Sequence, residues 1–214
     1  MNLQSPTPQA PPPQSSAQAG RTAARWVPIR TLGEEHRAQM TAHLLALDNA
    51  DRIRRFGHLA SDERIAHYAQ GIDLQRDMVF GVFNRRLRLV AMVHLAFGAA
   101  DAVPGGGVEF GVSVLARSRG RGLGSQLFEH AVTHARNRGA GTMLIHLARD
   151  NAAMLAIVRR AGAALRFDGG DALAELPLPA DTLGSQIQEL LGHQAAELDY
   201  RLKLAVLRLD DWLA

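Results

Sequence analysis

VSVLARSRGRGLG, residues 112–124, joins a β-branched apolar run to a turn and then to the start of a helix. Val112, Val114 and Leu115 read as the end of a strand, and Gly120, Gly122 and Gly124 as the turn. From there Leu123, Leu127, His130, Ala131 and His134 recur at three- and four-residue spacing, the period of one helix face. Strand, glycine turn and helix together aim main-chain N–H groups and the positive end of a helix dipole at an anion. Glycine lets the backbone approach a ligand closely, Arg117, Arg119 and Arg121 add positive charge, and Ser125 adds a hydroxyl at the helix start. The expected occupant is a diphosphate.

Two common phosphate motifs do not fit. A P-loop needs Lys-Ser/Thr after its last glycine, where this chain has Ser125-Gln126. A dinucleotide fingerprint needs G-x-G-x-x-G and an acidic residue about 20 residues on; here the glycines run 120, 122, 124 and that acid is missing. The run instead resembles the R/Q-x-x-G-x-G/A signature of the GNAT N-acetyltransferase superfamily, met by Arg119, Gly122 and Gly124. The resemblance implies that Arg119, Gly120, Arg121, Gly122, Leu123, Gly124 and Ser125 hold the pyrophosphate of acetyl-coenzyme A. It also implies that the strand residues Val112 and Val114 lie along the cofactor, with a main-chain N–H near Val114 donating to the thioester oxygen.

A second element follows at the family's distance: Asn151, Ala153-Met154, Ile157-Val158, then Arg160-Ala161-Gly162. It is similar to the pattern Asn-x-x-Ala-x-x-Leu-Tyr-x-x-x-Gly-Phe, whose Asn bonds the pantetheine arm, and Asn151 takes that position. Val158 stands where the family usually has Tyr, the common acid for the departing thiolate, and Ala163 where Phe follows Gly. The resemblance therefore implies fold and acetyl-CoA binding but not the protonation step.

Acyl transfer to an amine needs a base near the nitrogen and donors at the carbonyl oxygen. Glu109, ahead of the glycine turn on the same strand, is the candidate base and matches a glutamate used so in several family members. A lone Glu in Val108-Glu109-Phe110-Gly111-Val112 is costly unless it faces a wet cleft. The plainer alternative is a solvent-facing strand position. His94 and His146, on flanking strands, could act as base or acid, but a hydrogen-bonded or half-exposed strand histidine explains each more simply. His130 and His134 are one turn apart, and with no third ligand they read as a solvated helix face, so no metal site is expected. Tyr68 is either a core aromatic or the missing phenol.

With 214 residues, 47% of them hydrophobic, one domain with a proper core is expected. Cysteine is absent, which excludes disulfides and thiolate chemistry and fits a reducing compartment. No apolar run reaches membrane-spanning length and no signal pattern opens the chain, so a soluble cytoplasmic protein without membrane contact is expected. The net charge is +3, the isoelectric point about 10.1, and Lys203 is the sole lysine. Arginines are scattered among acids, which argues against nucleic acid and for one anion pocket on a solvated surface.

Residues 1–20, rich in Pro, Gln, Ser and Ala, are expected to be a disordered tail, and 21–180 the acetyltransferase domain. A short strand is expected at 26–30 and helices at 31–46, 48–56 and 61–71, the last capped by Ser61. The segment from Leu45 to Glu63 resembles the opening helices of GNAT domains in larger bacterial protein-lysine acetyltransferases. Strands are expected at 77–83, 87–97, 108–115, 142–147, 163–167 and 172–176, with a helix capped by Asp150 or Asn151. Residues 181–214 carry one apolar stripe, including Leu190, Leu191, Leu198, Leu202 and Leu209. This predicts a long amphipathic helix packing on the domain with some homodimer contact.

The fold class expected is therefore α/β (α+β): a GNAT fold with a mixed sheet of about seven strands, helices on both faces and a long C-terminal helix. Two functions remain open. One is an acetyl-CoA-dependent N-acetyltransferase acting on an amine, small molecule or protein, by direct attack. The other is an acyl-CoA-binding sensor or scaffold with weakened chemistry.

Overall fold

β-Branched and aromatic runs in the middle of the chain form one seven-stranded sheet, and the amphipathic segments around them cover both its faces. The computed structural model describes residues 27–98, 106–179, 199–200 and 203. The expected N-terminal tail lies outside the described residues. So does the expected C-terminal helix, except for Asp199, Tyr200 and Lys203, which are helical.

The strands are β1 (Ile29–Thr31), β2 (Met78–Phe83), β3 (Leu89–Phe97), β4 (Gly107–Val114), β5 (Thr142–Ala148), β6 (Ala164–Asp168) and β7 (Asp171–Pro177). Their order in the sheet is β1-β2-β3-β4-β5-β7-β6. The helices are α1 (Arg37–Leu45), α2 (Asn49–Phe56), α3 (Asp62–Gly71), α4 (Leu123–Asn137) and α5 (Ala152–Arg160). Two boundaries differ from expectation by three residues or more. The first strand starts at Ile29, just past Pro28, which has no N–H to give a ladder. The first helix is preceded by a 3-10 turn at Glu34–His36, so its α-helical part begins only at Arg37.

Every neighbouring pair is antiparallel except β4 and β5. That parallel pair is short: Gly107, Val108 and Glu109 align with Thr142, Met143 and Leu144, and pairing stops there although both strands continue. Beyond Glu109 the sheet opens into a V. Strand β3 is buried over its first seven residues because helices cover both faces there. On one side α4 and α5 pack Leu127, Phe128, Ala131, Leu155 and Val158 against Val93, Phe110 and Ile145. On the other, α1 and α3 pack Met40, Leu44 and Ile65 against Val79 and Met92. Each such fully buried Leu or Ile contributes about 1.5–3 kcal/mol.

Caps set the helix starts. Asp48 accepts from the Asp51 N–H at 2.8 Å, and Asn151 from the Met154 N–H at 3.1 Å. Tyr200 ties the C-terminal segment to the domain: its ring lies 5.3 Å from that of Phe83, and the Arg30 guanidinium stands 3.5 Å from its centroid.

Candidate active site

The glycine turn borders the cleft beside the end of β4, where β4 and β5 part. Gly120 and Gly122 adopt φ of +73° and +75°, a region that side-chain-bearing residues avoid. Gly122 is the cap of α4 and has no side chain to satisfy the helix start. The first intrahelical bond there runs from the Gln126 N–H to the Gly122 carbonyl, 3.1 Å, so the N–H groups of Leu123, Gly124 and Ser125 precede any helical acceptor. They border a cleft of about 470 Å³ lined by Val112, Val114, Arg119, Gly120, Gly122, Leu123, Gly124, Ser125 and Asn151, among others. Nine of the ten residues expected to bind the cofactor therefore meet in one cavity. Uncapped amides and a helix dipole facing an open cleft fit a diphosphate.

Arg121 goes elsewhere. It lines a separate hollow with Arg85, Arg86, Arg88, Arg117 and Lys203. Folding thus brings Arg117 and Arg121 to the Arg85, Arg86, Arg88 run, a second basic hollow where one anion pocket was expected.

Arg119 is not a free cation either. Its guanidinium pairs with Asp51, which is buried on α2, and its Nε donates to the Val114 carbonyl at 3.2 Å. Asp51 also lies 3.6 Å from Arg54. Sequence reasoning missed Asp51, because no spacing rule joins a carboxylate on an early helix to a distant glycine turn.

Asn151 lines the cleft and uses its Oδ1 as the α5 cap, so the donors its side chain has to offer a ligand are those of Nδ2. Val158 is fully buried in the core, so no phenol faces the cleft from that position; its neighbour Ile157 lines the cavity.

Glu109 is half-buried and lines a smaller hollow with Arg54, Arg55, Gly111, His146 and Asn151. The two hollows share Arg54, Arg55, Val112, Asn151 and Met154 and so adjoin as two parts of one groove wall. The Leu115 N–H bonds the Val90 carbonyl at 3.0 Å, so alternation along β4 turns the main-chain groups of Val112 and Val114 away from β3, toward the V.

Glu109, Gly111 and Ser113 share the β4 face that looks toward α1–α3. A polar chain crosses this face. Arg55 Nη2 donates to the Tyr68 hydroxyl at 2.5 Å, that hydroxyl bonds His94 Nδ1 at 2.6 Å, and His94 Nε2 bonds Asp77 at 3.1 Å. Burial and the Arg55 charge lower the His94 pKa, which favours the neutral ring with its proton on the Asp77 side. Nearby, His43 Nδ1 meets the Leu89 carbonyl at 3.1 Å and its Nε2 meets Ser113 Oγ at 2.8 Å, while burial pushes its pKa down to about 4. Tyr68 is thus neither a plain core aromatic nor a cleft-facing acid.

His146 is exposed at the rim. His134 overturns the reading of a solvated helix face: it is buried, its ring 4.5 Å from Phe80 and 4.2 Å from His130. Among the described residues no group of three His, Cys, Asp or Glu gathers to hold a metal. Among them, too, no helix is long and apolar enough to cross a membrane.

Residues 43–163 match the model of the Acetyltransferase (GNAT) family. Among curated proteins no sequence relative matches. Solved structures share the fold. The GNAT domain of S. lividans PAT is 19% identical, over 70% of this chain and 89% of that one, with a TM-score of 0.59. RimL, a ribosomal L7/L12 alpha-N-protein acetyltransferase solved with coenzyme A, is 19% identical over 72% and 94%, TM-score 0.55. YncA from Salmonella typhimurium, solved with its cofactor acetyl-CoA, is 18% identical over 72% and 95%, TM-score 0.55.

Proposed function

Since the chain belongs to the GNAT acetyltransferase family, we propose that its groove moves an acetyl group from acetyl-CoA to a primary amine by direct attack. The observation that carries this is that the uncapped α4 amides and Glu109 line adjoining hollows at the V between β4 and β5. The amides of Leu123, Gly124 and Ser125 hold the diphosphate, and Arg119, fixed by Asp51, frames the turn. Asn151 Nδ2 donates to the pantetheine arm. Bound acetyl-CoA supplies an acyl carbon activated as a thioester, whose transfer forms a C–N bond, breaks the C–S bond and frees the thiol.

Glu109 takes the proton that the amine nitrogen gives up, directly or through one water. The N–H of Val114 or Val112, pointing into the V, donates to the oxygen on which charge develops. With Val158 buried and the Tyr68 hydroxyl already engaged, solvent in the open groove protonates the sulfur. The acceptor is an amine of a small molecule or protein, and the reading places the chain in the cytoplasm.

The test follows thiol release over a panel of amines. Glu109→Gln should lower kcat by about 100-fold or more while acetyl-CoA affinity, read by calorimetry, changes less than about twofold. Should affinity fall in step with turnover, Glu109 is structural. Tight acetyl-CoA binding with no thiol released by any amine would instead favour a sensor or scaffold.

A further inference from the structure

Arg55 is a charge on the groove wall that the proposed reaction does not use. It stands at the C-terminal end of α2 with its guanidinium laid over Gly111, so close that a β-carbon at Gly111 would be 2.6 Å from Arg55 Cζ. It is half-buried and lines both parts of the groove. Among the described residues it makes no ion pair, and its hydrogen bond goes to a neutral phenol. Its charge still reaches the interior, since it lowers the pKa of both His43 and His94.

The residue is also held in place. Tyr68, fixed by His94 and through it by Asp77, accepts one Nη2 proton, while the rings of Phe56 and Tyr68 lie 5.2 Å from Cζ. Holding a long side chain this way removes the rotamer entropy that binding would otherwise cost. What remains is a planar fork with free donors on the wall of the groove, a shape that matches a carboxylate.

Glu109 and Gly111 are two positions apart on one β4 face, ~6.6–6.8 Å along the strand. A carboxylate and an oriented guanidinium therefore bracket the acceptor end of the groove. We infer that the acceptor is an amine that also carries a carboxylate on a nearby carbon, an amino acid in chemical class, with its nitrogen at Glu109 and its carboxylate on Arg55. This rests on the acetyl-transfer reading for its turnover but not for its binding. Arg54 does not serve the same purpose, because Asp51 and Asp150 flank it, each at 3.6 Å.

The experiment uses the full chain saturated with coenzyme A and compares free α-amino acids with their amides. Calorimetry should show the acids binding at least about tenfold more tightly than the matching amides, the order expected for one charge-assisted pair. With acetyl-CoA, thiol release should show the same ratio in kcat/KM. Arg55→Gln should bring that ratio close to one, and Arg55→Lys should restore part of it. Gly111→Ala is the independent variant: it keeps Arg55 but pushes the guanidinium aside, and should raise KM for acids more than for amides. Equal affinity for acids and amides, or a preference that survives Arg55→Gln, would overturn the inference. A clear binding preference without thiol release would uphold the carboxylate site and sink the transferase reading instead.

Discussion

Two glycines of the turn differ in what they do, and the difference is measurable. Gly122 is left-handed, φ +75°, yet a β-carbon there would meet only Gln126 Nε2, at 3.6 Å. Conformation rather than space demands glycine, because left-handed backbone costs other residues roughly 1–2 kcal/mol. Gly124 has no positive φ, and its β-carbon would touch Ile157 Cδ1 at 3.6 Å, inside the cleft that both line. Gly122→Ala should therefore lower stability by about 1 kcal/mol or more in urea unfolding. Gly124→Ala should leave stability level or slightly raised, since alanine suits a helix better, while weakening acetyl-CoA binding by occupying the cleft. Reversed ranks in the melts would mean that the turn is held by something other than its dihedrals.

Helix α2 is the element that ties strand β4 to the glycine turn, through Asp51, which pairs with Arg119, on one turn and Arg55, which lies over Gly111, on the next. The Asp51 side chain is 7% exposed and that of Arg119 44%, so the pair is too wet for a large contribution. A double-mutant cycle on Asp51→Asn and Arg119→Gln should return a coupling of about 1 kcal/mol in unfolding experiments. Additive losses would show that the contact does not brace the turn. The strands and helices on either side of this clamp were legible from apolar periodicity and cap residues: Ser61 and Asn151 cap helices as their types suggest, whereas Asp48, expected inside its helix, is the cap of α2. The glycine turn that lines the cleft was legible because its residues lie in one contiguous run. The clamp was not, since it joins residues far apart in sequence and ion pairing leaves no periodic trace. His134 teaches a narrower lesson. The three-and-four stripe that includes Leu127 and Ala131 already placed it on the core face, and residue type wrongly outweighed period.

At the scale of the molecule, folding does two things with charge. It brings Arg117 and Arg121 to the Arg85, Arg86, Arg88 run, and it encloses neutral imidazoles between the sheet and helices α1–α3. The second makes stability depend on pH. His43 has a pKa of about 4 when folded, against an ordinary value of 6.5. Between those values the unfolded chain binds more protons than the folded one, so stability rises with pH. The contribution is complete above pH 6.5 and is lost as pH falls toward 4. For His43 alone the loss between pH 7 and pH 5 is about 2 kcal/mol, and His94, lowered by burial and by Arg55, adds in the same direction. Glu34 and Glu63 are both lowered, by hydrogen bonds from Arg37 and Ser61, so what they contribute disappears only below about pH 4.5, outside this window. Urea unfolding at pH 7, 6 and 5 should show this decline, and His43→Gln, which keeps polar contacts but cannot titrate, should flatten it. The slope is the readout, because the variant's absolute stability also reflects repacking against Ser113 and Leu89. An unchanged slope in His43→Gln would mean that the ring protonates without leaving its site, and that the wall beneath Glu109 and Gly111 tolerates a second cation beside Arg55.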